Sequence, residues 1–421
     1  MEKIISINNY AAERDSGQKY ALYKNIVMKI LSGMNKGELR VTFPDGEVST
    51  FGGADKSIIA NIRIVNPRFY KRIVLFGDIG FGEAYVDGDW ETDSITNVIS
   101  WMILNIENNP AISGNGKKFS PISLLKVLNR AYHKFNMNTK SKSKKNISDH
   151  YDLNNDFFKL WLDDSMTYSS AIFTDKNEDL YKAQLEKYDR ICRELKLKPA
   201  DHVLEIGSGW GGFSIYAAEN YGCRITTTTI SEEQYKYARN LIAEKKLDDK
   251  IEILLKDYRE LTGSYDKIVS IEMLEAVGHE FLPKYFSKVN ELLKPNGAIA
   301  LQVITSHDSN YEQLRKGADW IQKHIFPGSL LPSVGAINSA VNKTGNLYLH
   351  DLKNFGLDYA KTLKIWRHKF NSKLSDVSKL NFDDKFIRKW NYYLSYCEAA
   401  FAMRNISVVQ MVYTRPNNRN I

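Results

Sequence analysis

His202-Val203-Leu204-Glu205-Ile206-Gly207-Ser208-Gly209-Trp210-Gly211-Gly212 is the stretch whose reading decides the fold. Val203, Leu204 and Ile206 make a short apolar run without helical period, the length of a buried parallel strand. The run passes straight into Gly207, Gly209, Gly211 and Gly212, and Phe213 to Ala218 then reads as the start of a helix. Strand, glycine turn and helix open a nucleotide-binding α/β unit, because missing Cβ atoms let a ligand lie against the backbone. The spacing Gly-x-Gly-x-Gly-Gly differs from the dinucleotide fingerprint Gly-x-Gly-x-x-Gly. Glu205 lies inside the strand end, where a carboxylate suits a sulfonium or ammonium ligand better than a pyrophosphate. S-adenosylmethionine is such a ligand. Alone, the glycine run also fits an ordinary tight turn.

The flanking sequence repeats the alternation. Helical periodicity covers Leu180 to Leu197, and strands are expected at Cys223–Thr229, Ile251–Leu255, Tyr265–Ser270 and Ala298–Ile304. Ser231-Glu232-Glu233-Gln234 has capping-box spacing and opens a helix through Ala243. Another helix is expected from Phe281 to Leu293. Alternation with short connections predicts an α/β, doubly wound, mainly parallel sheet. Ligands of such sheets bind at the carboxyl ends of the strands. Glu205, Thr229, Asp257, Ile271 to Glu275 and Gln302 to Ile304 fall at or just after those ends. The second strand ends in Thr226 to Thr229 with no carboxylate before Glu232, which counts against a dehydrogenase holding a ribose there. Thr229 and the Gln234 amide are candidates for that contact.

The chain has 421 residues and 43% hydrophobic content, enough for a full core and two domains. Its three cysteines, Cys192, Cys223 and Cys397, have no disulfide or zinc spacing, which predicts reduced thiols in a cytoplasmic protein. No apolar run approaches the roughly 20 residues of a membrane span. Met1 to Ser6 lacks a signal peptide's apolar core. A net charge of +8 favours anionic partners, nucleic acid or a phospholipid surface.

Residues 1 to 112 read as a small α+β domain. It has a helix from Tyr20 to Met34, alternating segments at Glu38–Phe43 and Ile59–Val65, a glycine- and aromatic-rich stretch at 80–90 and a helix at Ile95–Ile106. From 113 to 146, nine lysines and arginines occur without one aspartate or glutamate. An apolar face of Ile122, Leu125, Leu128 and Phe135 interleaves with them. A basic amphipathic helix with a lysine-rich linker is what a segment seeking an anionic bilayer needs, although a solvated linker reads the same way. The segment lacks aromatics arranged for base stacking, so nucleic acid is not the expected partner. Residues 147 to 421 form the expected catalytic domain.

Within it, Tyr151 to Phe158, Met166-Thr167-Tyr168-Ser169, Leu204 to Gly212, Thr229 to Gln234, Asp257-Tyr258-Arg259 and Ile271 to Gly278 resemble the cyclopropane fatty-acid synthase family, which includes the mycolic-acid cyclopropane synthases. So do Ile325-Phe326-Pro327-Gly328, Asn354 to Tyr359 and Trp390 to Arg404. Several of these lie outside the generic cofactor fold. The resemblance implies a Rossmann-like class I S-adenosylmethionine methyltransferase fold behind a small lipid-binding domain. It implies methyl transfer to the cis double bond of phospholipid acyl chains at the inner membrane face, ending in a cyclopropane ring. A sister reaction giving a methyl-branched or methylene chain, or N-methylation of a small amine, stays open, as does homodimerisation.

The same resemblance implies that bicarbonate is the base, caged by Ser170, Glu275, Gln302, the backbone at Ile304, and Tyr359. Ser170 stands where many members have cysteine, and Gln302 where many have histidine; both can donate to an oxyanion. For the cofactor it implies Tyr168 and Ser169 over the methionine end, with Glu205, Gly207 and Gly209 beneath. Thr229 and Gln234 would meet the ribose, and Asp257 and Tyr258 the adenine, with Ile271 a further cofactor-binding candidate. The acyl tunnel is expected from the insertion at 305–380.

Overall fold

A computed structural model describes residues 20–105, 155–174 and 179–421. The basic segment 113–146 and Tyr151 to Asn154 lie outside the described residues. The chain divides into two compact units, Met1–Ala131 with Phe382–Met403, and Tyr132–Asn381 with Arg404–Ile421.

The first unit carries strands β1 (Glu38–Thr42), β2 (Val48–Gly52), β3 (Ile59–Ile64) and β4 (Trp90–Glu91), in the order β2-β1-β3-β4. β1 pairs antiparallel with β2 through the Pro44-Asp45-Gly46 turn and parallel with β3. The stretch 80–90 is not irregular. It ends a long helix, Arg68–Val86, bent at Gly77, whose φ of 57° leaves the helical region. Its aromatics are core: the Phe81 and Trp90 rings pack at a tilt with centroids 4.4 Å apart, and the Trp90 indole donates to the Phe81 carbonyl. The helix Asp384–Ala402 packs here, against Ile95–Asn105 and Arg68–Val86. That moves Phe382–Met403 out of the continuous 147–421 domain expected from the sequence. Arg388 supplies the reason: it donates to the Tyr85 and Trp90 carbonyls and lies over the Tyr85 ring.

The second unit holds strands β5 (His202–Ile206), β6 (Arg224–Thr229), β7 (Ile251–Leu255), β8 (Tyr265–Ile271), β9 (Leu293–Thr305), β10 (Tyr348–Asn354) and β11 (Ser407–Thr414). They form one sheet in the order β10-β11-β9-β8-β5-β6-β7. β9, β8, β5, β6 and β7 run parallel; β11 and β10 add antiparallel. The order reverses between β5 and β8, and the crevice at that switch is where doubly wound sheets bind ligands. Helices cover both faces over two apolar clusters, one around Tyr285, Phe286 and Val289, the other around Ile191, Phe213 and Ile225. Ser231 caps its helix by accepting from the Gln234 N–H. The Gln234 side chain turns instead to Thr229, so half of the expected capping box forms.

Candidate active site

The loop after β5 is built for close backbone approach. Gly207, Gly209 and Gly211 all have positive φ, and a Cβ on Gly209 would meet nothing within 4 Å. That open ground above the loop fits a ligand lying on the backbone. At Gly212 the constraint is packing, since a Cβ there would come within 2.6 Å of the Tyr188 hydroxyl.

Glu205 is buried beneath this loop. Its Oε2 accepts from the Ser214 hydroxyl and from Thr227 Oγ1 at 2.5 Å. Burial pushes its carboxyl up to about 7 against those hydrogen bonds and the Lys187 charge. Both of these bonds hold it within the interior, between the helix after the loop and β6. At the end of β6, Thr229 Oγ1 donates to Gln234 Oε1 at 2.8 Å. After β7, the Asp257 carboxylate takes Arg259 in a two-pronged pair at 2.8 and 2.6 Å, with the Tyr258 ring alongside. Ile271 closes the end of β8, half-buried.

At the ends of β8 and β9 lies a group that the sequence reading passed over. Glu272 has a φ of 49°, an uncommon conformation for a residue with a Cβ. Its N–H donates to the Gln302 carbonyl at 2.7 Å, tying the end of β8 to β9. Its Oε1 accepts from the Ser170 N–H and from Gln302 Nε2, each at 2.8 Å. The Tyr359 hydroxyl donates to its Oε2 at 2.7 Å. Three of the five expected cage residues therefore converge on a carboxylate of this chain. Ser170 takes part through its backbone, because its hydroxyl donates to the Ala171 carbonyl. The remaining two pair with each other: the Ile304 N–H donates to Glu275 Oε1 at 2.5 Å. Among the described residues the buried Glu275 Oε2 has no hydrogen-bond partner, and burial with the Glu272 charge nearby pushes the carboxyl up to about 8. Glu275 is thus largely neutral at pH 7.

The orientation of Gln302 is fixed from outside. Arg190 has donors only, so the Gln410 oxygen must face it, at 2.8 Å. Gln410 Nε2 then donates to Gln302 Oε1 at 3.0 Å, which leaves Gln302 Nε2 to face Glu272. Arg190 is itself held by Asp351 at 2.6 Å.

Lys187 was also missed. It is fully buried on the helix Leu180–Glu194, and its ammonium donates to Ser169 Oγ at 2.7 Å. Burial lowers its pKa, while Glu272, Asp163 and Glu205 raise it. A lysine on the apolar face of an amphipathic helix, beside Ala183 and Ile191, was the signal. For Glu272 the signal was an acid immediately after an apolar strand.

Aromatic rings wall the site. Tyr168 lies 5.4 to 5.5 Å from Phe158, Trp161 and Trp366, and Tyr359 contacts Trp366 at 6.2 Å. Trp210 joins through Phe158 at 5.0 Å and donates to Asn155. Such faces attract positive charge and exclude water.

A sheet of this order, with a glycine loop after β5 and polar groups gathered at the ends of β5 to β9, defines a class I S-adenosylmethionine-dependent methyltransferase. The mycolic acid cyclopropane synthetase profile matches residues 138–411, and residues 26–109 match a domain of unknown function, DUF7884. The chain is 37% identical to the cyclopropane-fatty-acyl-phospholipid synthase of Escherichia coli, over 85% of this chain and 88% of that protein. It is 36% identical to the tuberculostearic acid methyltransferase UfaA1 of Mycobacterium tuberculosis, over 90% and 88%. The structure of mycolic acid cyclopropane synthase CmaA1 complexed with SAH and CTAB superposes with a TM-score of 0.61 at 28% identity, covering 65% of this chain and 98% of that one. The chain belongs to the mycolic acid cyclopropane synthetase family.

Proposed function

We propose that the protein transfers the methyl group of S-adenosylmethionine to a cis double bond in the acyl chain of an unsaturated phospholipid and closes a cyclopropane ring. The cofactor, when bound, supplies a methyl on a positively charged sulfur, an electrophile strong enough for an unactivated alkene. Gly207 and Gly209 would carry it on the backbone, with Glu205 and Lys187 setting the field beneath. Thr229 and Gln234 would exchange their mutual bond for the ribose, and Asp257 and Tyr258 would lie at the adenine. Attack by the alkene leaves a carbocation in the chain, which water would trap as an alcohol. The observation that carries this reading is the wall of Phe158, Trp161, Tyr168 and Trp366 linked through Tyr359 to the half-buried Glu272 carboxylate. It offers a cation both π-faces and a negative charge.

Bicarbonate, expected from the resemblance, does not fit this cage. Its donors, Gln302 Nε2, the Tyr359 hydroxyl and the Ser170 and Ile304 N–H groups, are already bonded to Glu272 and Glu275. A further anion would face carboxylates instead of free donors.

Likeness to the tuberculostearic acid methyltransferase supports a second reading, in which proton loss gives a methylene or methyl-branched chain. A membrane-surface substrate, met from the cytoplasmic side by the basic segment 113–146, belongs to the proposal; among the described residues no helix is long and apolar enough to cross a membrane. The test is incubation with labelled S-adenosylmethionine and unsaturated phospholipid vesicles, then mass analysis and NMR of the acyl chains. Ring protons at high field support cyclopropanation. Label found only in water-soluble amines overturns the lipid reading.

A further inference from the structure

We propose that Glu272 is the built-in general base of this enzyme, holding the place that the resemblance gives to an external anion. The inference rests on the acyl-chain reading above and names the group that completes it.

The geometry sets Glu272 apart from a structural carboxylate. It is held by three donors from three elements: the Ser170 backbone, Gln302 at β9, and Tyr359 on the helix Gly356–Ser372. Oε1 uses both lone pairs on Ser170 and Gln302, whereas among the described residues Oε2 accepts from Tyr359 alone and keeps one lone pair. That remaining lone pair is the place for a proton. The residue also keeps a left-handed backbone that costs a side chain roughly 1–2 kcal/mol and that glycine would adopt freely. Local strain is retained where the surroundings over-determine it, and here they fix one carboxylate oxygen. Arg190 and Gln410 dictate which end of Gln302 faces Glu272, so they are positioning residues for the base.

The chemistry balances without another reactant. After methyl transfer, a C–H bond of the transferred methyl breaks. Its electron pair forms the ring C–C bond to the adjacent cationic carbon, and the proton passes to Glu272 Oε2. Burial, the larger effect, raises the Glu272 pKa, and the hydrogen bonds from Gln302, Ser170 and Tyr359 together with the Lys187 charge oppose it in favour of the carboxylate. Burial favours the neutral acid afterwards.

The experiment uses the full chain, unsaturated phospholipid vesicles and buffer stripped of carbon dioxide. Wild type is expected to turn over equally with and without added bicarbonate. Glu272→Gly and Glu272→Gln should each lose roughly 100-fold or more in kcat, the share a positioned base supplies. Both should keep their affinity for S-adenosylmethionine. Added bicarbonate or formate should restore part of the turnover of Glu272→Gly, where the carboxylate's space is vacated, and none of that of Glu272→Gln, whose amide fills it. A structural role would give no such anion rescue. Wild type dependent on bicarbonate, or a Glu272→Gln enzyme at full rate in stripped buffer, overturns the inference. If Glu272→Gly does not fold, Glu272→Gln and the wild-type bicarbonate response decide between the outcomes. Wild type inactive on every lipid, with or without bicarbonate, refutes the acyl-chain reading and with it this assignment. Lipid turnover that requires bicarbonate refutes this assignment alone.

Discussion

The two rims of the same sheet are built differently. At the ends of β6 and β7 the polar groups pair with near neighbours in sequence, Thr229 with Gln234 and Asp257 with Arg259. Such pairs can part and re-form around a ligand at small cost, since each exchange trades one hydrogen bond for another. At the ends of β8 and β9 the partners come from far along the chain: Ser170, Gln302 and Tyr359 meet on Glu272, and Arg190 reaches Gln302 through Gln410. There an exchange would leave buried groups unpaired. On the proposed reading the first rim binds and releases the cofactor, and the second holds one charge at one point. The buried Lys187 is bonded to Ser169 Oγ and feels the charges of both Glu205 and Glu272.

Removing that shared cation should break the comparison most severely. Lys187→Met removes the buried ammonium that holds Ser169 Oγ and leaves that hydroxyl without its donor, a loss of about 1–3 kcal/mol in stability. It also raises the Glu272 pKa, because a nearby positive charge no longer favours the ionised form. Turnover needs the ionised base, so the acid limb of the pH–rate profile should move to higher pH. A pH–kcat profile and a denaturant titration check the two effects.

The glycine loop separates cofactor approach from packing. Gly212→Ala brings a Cβ against Tyr188 and should cost about 1–3 kcal/mol in stability. Gly209→Ala has space around it and should cost only about 1–2 kcal/mol of left-handed strain. Its larger effect should be on S-adenosylmethionine, with Kd raised on the order of tenfold. Calorimetric titration beside thermal unfolding distinguishes them.

Glu275→Gln should give the smallest effect and sharpen the contrast between two carboxyls three residues apart. Glu275 is largely neutral at pH 7, and an amide oxygen still accepts from Ile304, so kcat should fall by about tenfold or less. Its carboxyl is pushed up to about 8 from the ordinary 4.5, so between those values the folded state holds a proton that the unfolded chain has lost. Wild-type stability is therefore greatest below pH 4.5 for this group and declines as pH rises toward 8. The Gln variant should show a flatter profile in unfolding midpoints against pH.

Much of the sheet was legible because its strands are short apolar runs ended by turns. Ile251–Leu255 is observed with the bounds read from sequence, and β8 and β9 extend the expected segments. β2 was passed over because Val48-Ser49-Thr50-Phe51 buries little and so lacks a clear inward face. Arg68–Val86 was obscured by Gly77, Gly80 and Gly82, whose low helix propensity is overridden by packing of its aromatics. The segregation of Asp384–Ala402 into the first unit has no local signal, since an apolar helix face does not say which core it joins.

In the site, spacing placed residues at strand ends but could not place their atoms. Ser170 was read as a side-chain donor and acts through its backbone; Glu205 was read beneath the ligand and lies turned into the interior. Glu272 was hidden by its neighbour Glu275, because the left-handed turn that brings it under Gln302 and Tyr359 is a property of the folded β8–β9 pair.

The central claim is that a carboxylate of this chain strips a proton from the newly transferred methyl without an external anion. Its most direct test is the isotopic content of acyl products made by the wild-type enzyme from S-adenosylmethionine bearing a trideuterated methyl group, in buffer free of carbon dioxide. The account predicts products at full rate with two of the three deuterons retained. Products retaining all three, or none formed until bicarbonate is added, would contradict it.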